Sequence, residues 1–180
     1  ALPDGARIEA RLDGDFNADG LADVVVVARS DTDRVLKAFA AYTSETDNGF
    51  DPVGEMRMSY SPLAKTTLRL LRGVVVVTDT DGAATAIDAT YLFRFERQPE
   101  AVGHGRMRLI GDDVRMHSRT GAHESTTVST NRLTGERIVQ VATPGPNGEV
   151  KQPQKTRKVA SKPLYMEDAP TPGQTLEAVR

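Results

Sequence analysis

Two short runs of β-branched residues limit the folds open to this chain. Val24-Val25-Val26-Val27-Ala28 and Val74-Val75-Val76-Val77 are too brief for a globular helix and unsuited to one by side-chain type. Such runs fit buried strands in the middle of a sheet. The segments around them carry strand-like patterns. Residues 6–12 alternate apolar and polar through Ile8, Ala10 and Leu12, and 85–97 place Tyr91, Phe93 and Phe95 on one face. Met56 and Met58, then Leu68 and Leu70, continue the period of two. Residues 34–43, with Val35, Leu36 and Phe39, read either as one helical turn or as a strand, and strand is the preferred reading. Further strands are expected over 106–118, 124–130 and 136–142.

Turn signals separate these runs. Gly73 marks a tight turn or bulge, Asp79-Thr80-Asp81-Gly82 reads as a hairpin turn, and Thr120-Gly121 and Leu133-Thr134-Gly135 close two more. Strands punctuated at intervals of roughly 8–15 residues, with scant helix, predict a mainly β fold. The expected arrangement is an antiparallel meander forming a sandwich or a partly open barrel.

The β pattern runs over 1–142. From 143 the composition changes: Thr143-Pro144-Gly145-Pro146-Asn147-Gly148 breaks regular structure, and 151–162 hold Lys151, Lys155, Arg157, Lys158 and Lys162 without an acid. Residues 143–180 therefore read as a Pro-rich basic extension. Val159, Leu164, Tyr165 and Met166 give it something to bury, so an edge strand around 156–166 and then a frayed end are expected.

Composition bounds the function. With 38% hydrophobic residues, 5% aromatics and no Trp, the core must rest on Val, Leu, Ile and Met. A formal charge of −2 gives no drive toward nucleic acid. No apolar stretch reaches the roughly 20 residues that span a bilayer as a helix. The absence of cysteine removes disulfides, thiolate zinc sites and Cys nucleophiles. The start, Ala1-Leu2-Pro3-Asp4, fits a mature end left by signal-peptide removal and equally fits a trimmed chain.

One segment carries recognisable chemistry. In Asp15-Phe16-Asn17-Ala18-Asp19-Gly20-Leu21-Ala22-Asp23, oxygen-bearing side chains fall at positions 1, 3, 5 and 9, with Gly at position 6. Calcium is a hard cation that takes six to eight oxygen ligands, and this spacing wraps side chains around one point. Gly20 permits the sharp bend. Asp15, Asn17, Asp19 and Asp23 are the side-chain ligands expected, with the carbonyl of Leu21 as the backbone ligand. Three carboxylates outweigh the ion's charge, so an empty loop should repel itself. Position 12 is Val26 rather than a bidentate Glu, which argues against a calmodulin-type switch. Asp13, just outside, adds charge. The competing reading is a polar turn between two strands with no metal.

The segment through Val24, followed by Asn48-Gly49-Phe50-Asp51, resembles one FG-GAP (VCBS-type) repeat, and the likeness covers roughly residues 12–53. It implies that the Asp/Asn loop joins two strands and binds calcium through Asp15, Asn17, Asp19 and Asp23. Members often carry several repeats in a β-propeller. Here Asp79-Thr80-Asp81-Gly82 is a poor second copy, with Val77 in place of the first ligand, and a propeller is not expected. Leu109-Ile110-Gly111-Asp112-Asp113 and Ser129-Thr130-Asn131-Arg132-Leu133-Thr134-Gly135 are similar to segments of small exported bacterial proteins with a single such loop, which implies a secreted or periplasmic setting.

Other candidates have plainer explanations. His117, His123 and Glu124 are the candidates for a catalytic or zinc site: a hairpin turning at Thr120-Gly121 would bring His117 and His123 together, with a third ligand from Asp112 or Asp113; histidines flanking a turn are the ordinary case. His104 reads as a loop residue. Ser118 lacks a nucleophile-elbow setting. The Tyr91, Phe93 and Phe95 stripe reads as core rather than a binding platform, and the basic run 151–162 as a solvated edge rather than a grip on an anionic polymer. The expectation is a non-catalytic, calcium-binding (Ca2+) envelope or secreted module that meets an unidentified protein or envelope component. The alternative is a hydrolase or metal-dependent enzyme using His117, His123 and Glu124.

Overall fold

The computed structural model describes residues 5–101, 104–120, 123–146 and 148–179. The chain start Ala1–Asp4, Gly121 of the expected turn at 120–121, and Asn147 lie outside the described residues. The chain forms two antiparallel sheets that do not close into a barrel. The first contains β1 (Arg7–Gly14), β2 (Asp23–Arg29), β3 (Arg34–Thr43) and β4 (Asn48–Arg57), in that order. The valine run of β2 sits inside this sheet and is buried on both faces, from Val24 to Ala28. Residues 34–43 are a strand, paired on one side with β2 and on the other with β4.

The second sheet continues the meander through β5 (Lys65–Leu71), β6 (Val74–Asp81), β7 (Thr85–Arg97), β8 (Gly105–Ser118), β9 (Ser125–Asn131) and β10 (Glu136–Gly145). Arg72 and Gly73, both with positive φ, make the two-residue turn between β5 and β6, where Leu71 pairs with Val74. Asp79 to Asp81 remain in β6, so the hairpin turn expected over 79–82 begins only at Gly82. Its φ is 90°, and a Cβ there would lie 2.1 Å from the Thr85 carbonyl oxygen.

Apolar side chains of the two sheets meet between them. Val25, Val27, Leu36, Ala38 and Met56 from the first join Val75, Val77, Tyr91, Phe93, Met107 and Leu109 from the second in one buried cluster. Tyr91 and Phe93 are thus core, as the sequence pattern predicts. Gly54 lets the layers approach: a Cβ there would lie 3.0 Å from Met166 Sδ and 3.1 Å from Met107 Cβ.

Beyond β10 the described residues, as far as 179, pack back onto the fold. β11 (Gly148–Lys151) and β12 (Lys155–Lys158) share the outer edge of β10 end to end, which gives the basic run its edge position. β13 (Leu164–Tyr165) then returns to pair with β8. Met166 is fully buried, and helix α1 (Pro172–Glu177) opens on a capping box between Thr171 and Gln174 and buries Leu176. The Tyr91 hydroxyl donates to the Pro170 carbonyl at 3.0 Å and ties this return to β7. Apolar Met166 and Leu176 have a core to join, and that contact holds residues 164–177 against it. No helix among the described residues is long and apolar enough to cross a membrane.

A buried ion network also joins the sheets. Arg34, 1% exposed, forks onto Asp79 at 2.8 and 3.1 Å and reaches Glu9 at 2.6 and 3.0 Å; Arg29 adds a contact to Glu9 at 2.9 Å. Thr66 donates to Asp79 at 2.7 Å. Burial pushes the Glu9 carboxyl up, but the hydrogen bonds from Arg34 and Arg29 outweigh it and hold Glu9 below its ordinary value. The same two acids keep Arg34 charged against its own desolvation.

Candidate metal centre

Gly14 at the end of β1 pairs with Asp23 at the start of β2, so residues 15–22 form the connection of a hairpin. Phe16 anchors that connection. Its ring is 5% exposed and lies 6.0 Å from the ring of Phe95, so one apolar side chain pins an acidic loop onto the second sheet. Ala18 and Gly20 have φ of 61° and 89°. A Cβ at Gly20 would meet no atom within 4 Å, so conformation rather than space favours glycine there.

The bends turn three side chains inward. Asp15 accepts from the backbone N–H of Asp19 at 3.2 Å and of Gly20 at 2.9 Å. Asn17 Oδ1 accepts from the Asp19 N–H at 3.0 Å, and Asp19 Oδ1 from the Leu21 N–H at 2.8 Å. The Asn17 amide donates to Asp19 Oδ2 at 2.9 Å. The loop therefore gathers Asp15, Asn17 and Asp19 around one turn of chain. Ion pairs bring no lysine or arginine to Asp15, Asp19 or Asp23 among the described residues; Asp13 instead pairs with exposed Arg11.

Asp23 is used differently. It is fully buried, and its carboxylate accepts three backbone N–H groups: Phe16 at 2.9 Å, Asn17 at 3.3 Å and, from β3, Ala41 at 2.9 Å. Burial pushes this carboxyl up, the three amides oppose it, and the charge of Asp19 adds to the rise. Asp23 staples the loop to the sheet. The sequence signalled its position but not this task, because Ala41 is distant in the chain.

The donors fit calcium in kind, being carboxylate and amide oxygens that converge on one turn. They do not form a finished shell. Among the described residues no three His, Asp or Glu side chains are grouped so as to hold a metal ion. Asn17, Asp19 and Leu21 line a cavity of about 370 Å3 whose other walls include Tyr42, Asp51, Phe95, Arg97 and His104. Asp51 comes from the Asn48–Asp51 segment, which opens β4 beside the Ala41 end of β3.

The histidine cluster considered from the sequence does not assemble. His117 Nε2 lies 2.9 Å from Asp88 Oδ2, a pair across β7 and β8. His123 and Glu124 are exposed ahead of β9, and no hydrogen bond or ion pair links the three to one another. Asp112 is buried against Arg132, while Asp113 points to solvent. His104 is an exposed loop residue with φ of 52°. Compared with known protein families, curated proteins and solved structures, the chain matches none.

Proposed function

We propose that residues 15–23 bind calcium and that the ion rigidifies the β1–β2 connection of a non-catalytic module. The observation that carries this reading is the convergence of Asp15, Asn17 and Asp19 on one turn, with no lysine or arginine ion-paired to these carboxylates among the described residues. The ion would be held by those three side chains and the Leu21 carbonyl, with Asp23 setting the loop's shape and adding negative charge. The FG-GAP-like spacing supports the same assignment. A secreted or periplasmic setting suits it, since calcium there is concentrated enough to fill a weak site. The cavity beside the loop is the surface we assign to the partner, a protein or envelope component.

The test is thermal unfolding of chelator-treated protein with and without millimolar calcium, beside Asp19→Ala. A ligand at about 100 times its Kd adds roughly 2.7 kcal/mol. For a chain of this size that is a rise of about 5–10 °C. The rise should saturate and vanish in the variant. An unchanged midpoint at every calcium level would remove the proposal.

A further inference from the structure

Arg137 lies in a row of side chains on one face of the second sheet. Cross-strand register sets Tyr91, Asp112, Thr130, Arg137 and Arg157 side by side, from β7 to β12. Tyr91 carries this face into the core, and Arg137 is only 7% exposed. The charges along the row do not balance. Both oxygens of Asp112 are taken by Arg132. Among the described residues Arg137 makes one hydrogen bond, Nε donating to Thr130 Oγ1 at 3.1 Å, and forms no ion pair. The rest of its fork has no protein acceptor among the described residues. A guanidinium presents five N–H donors in a plane matched to oxyanions, and burying it unpaired is costly. Desolvation pushes Arg137 below the usual arginine value, nearby Arg132 adds to that, and Asp112 only partly opposes it.

The tip is not sealed in. Among the described residues the fully enclosed side-chain polar atom without a partner is Thr175 Oγ1, not a nitrogen of Arg137. Along the same face, a cavity of about 440 Å3 has Val139, Val141 and Val179 as apolar walls and Lys155 and Arg157 as basic ones. A solute entering that cavity meets Arg157, the cross-strand neighbour of Arg137, and the charge there is positive.

We infer that Arg137, oriented by Thr130 and flanked by Arg157, binds a small oxyanion, the phosphate or carboxylate group of a solute. Such a group would accept from the unused N–H donors and offset the surplus charge that Asp112 leaves.

The experiment titrates the whole protein with inorganic phosphate and with acetate at fixed ionic strength, by calorimetry and by unfolding midpoint. Arg137→Met and Thr130→Val run beside it. A saturable response is expected in the wild type, absent in R137M and at least threefold weaker in T130V. Response to phosphate alone assigns a phosphoryl ligand; response to acetate alone assigns a carboxylate. A midpoint that climbs without saturating, equally in all three proteins, is a general salt effect and overturns the inference. So does no response to either probe, or a saturable one retained by R137M. Should R137M fail to fold, T130V decides, and an unchanged titration there overturns the inference equally.

Discussion

The β1–β2 loop and the β8–β12 arginine row are opposite cases of one condition. Among the described residues the loop gathers Asp15, Asp19 and Asp23 without an ion pair, and the row gathers Arg137 and Arg157 beside an Asp112 already paired with Arg132. Between the sheets, by contrast, charges balance: Arg29 and Arg34 meet Glu9 and Asp79 in a network with two charges of each sign. The difference separates groups the fold uses to hold itself from groups left with capacity for a solute. A balanced network stabilises by internal pairing. A surplus of one sign persists where a counter-ion can supply the rest.

The largest effect should come from breaking the balanced network. Arg34→Met leaves Glu9 and Asp79 without their shared cation, and a loss of about 3–5 kcal/mol is expected in denaturant unfolding. Arg137→Met is the contrasting substitution. It removes no ion pair, so without added oxyanion its stability should equal the wild type's or exceed it by about 1 kcal/mol. A loss as large as that of Arg34→Met would erase the distinction between the two arginines.

Within the loop, Asp23 and Asp19 should separate in the same way. Asp23→Ala strands three backbone N–H groups and should cost about 3 kcal/mol whether or not calcium is present. Asp19 is exposed, and Asp19→Ala should cost less than about 1 kcal/mol in calcium-free buffer. Similar losses for both would mean the loop has no division between staple and ligand.

The smallest effect is a pH dependence. Because Glu9 is held below its ordinary value of 4.5 in the folded protein, its contribution is present above that pH and is lost as pH falls through the folded value. The stability gap between wild type and Glu9→Gln should therefore be steady near neutrality and close on acidification below about pH 4.5. A gap that widens on acidification would contradict the pairing.

Local pattern revealed most of the meander. The valine runs became the buried parts of β2 and β6, and Gly73 and Gly135 both take positive φ in the turns they mark. The contacts that give these elements their roles are long-range and leave no local trace. Arg34 opens a strand in a segment where charge ordinarily marks the surface, and its partner Asp79 stands in an Asp-Thr-Asp-Gly string whose composition signals a turn. The return of 164–176 to the core depends on Met166 reaching Gly54 and Tyr91 reaching Pro170. At the loop, ligand-type spacing was visible from Asp15 to Asp23. The separate task of Asp23 depends on Ala41 of β3, which no spacing within the loop encodes.

The most direct test of the loop's surplus charge is calorimetric titration of calcium into chelator-treated wild type, Asp19→Ala and Asp15→Asn. One site per chain is expected in the wild type, with affinity at least tenfold weaker in each variant. No binding heat in the wild type across millimolar calcium, or equal affinity in all three proteins, would show that these carboxylates only shape a turn.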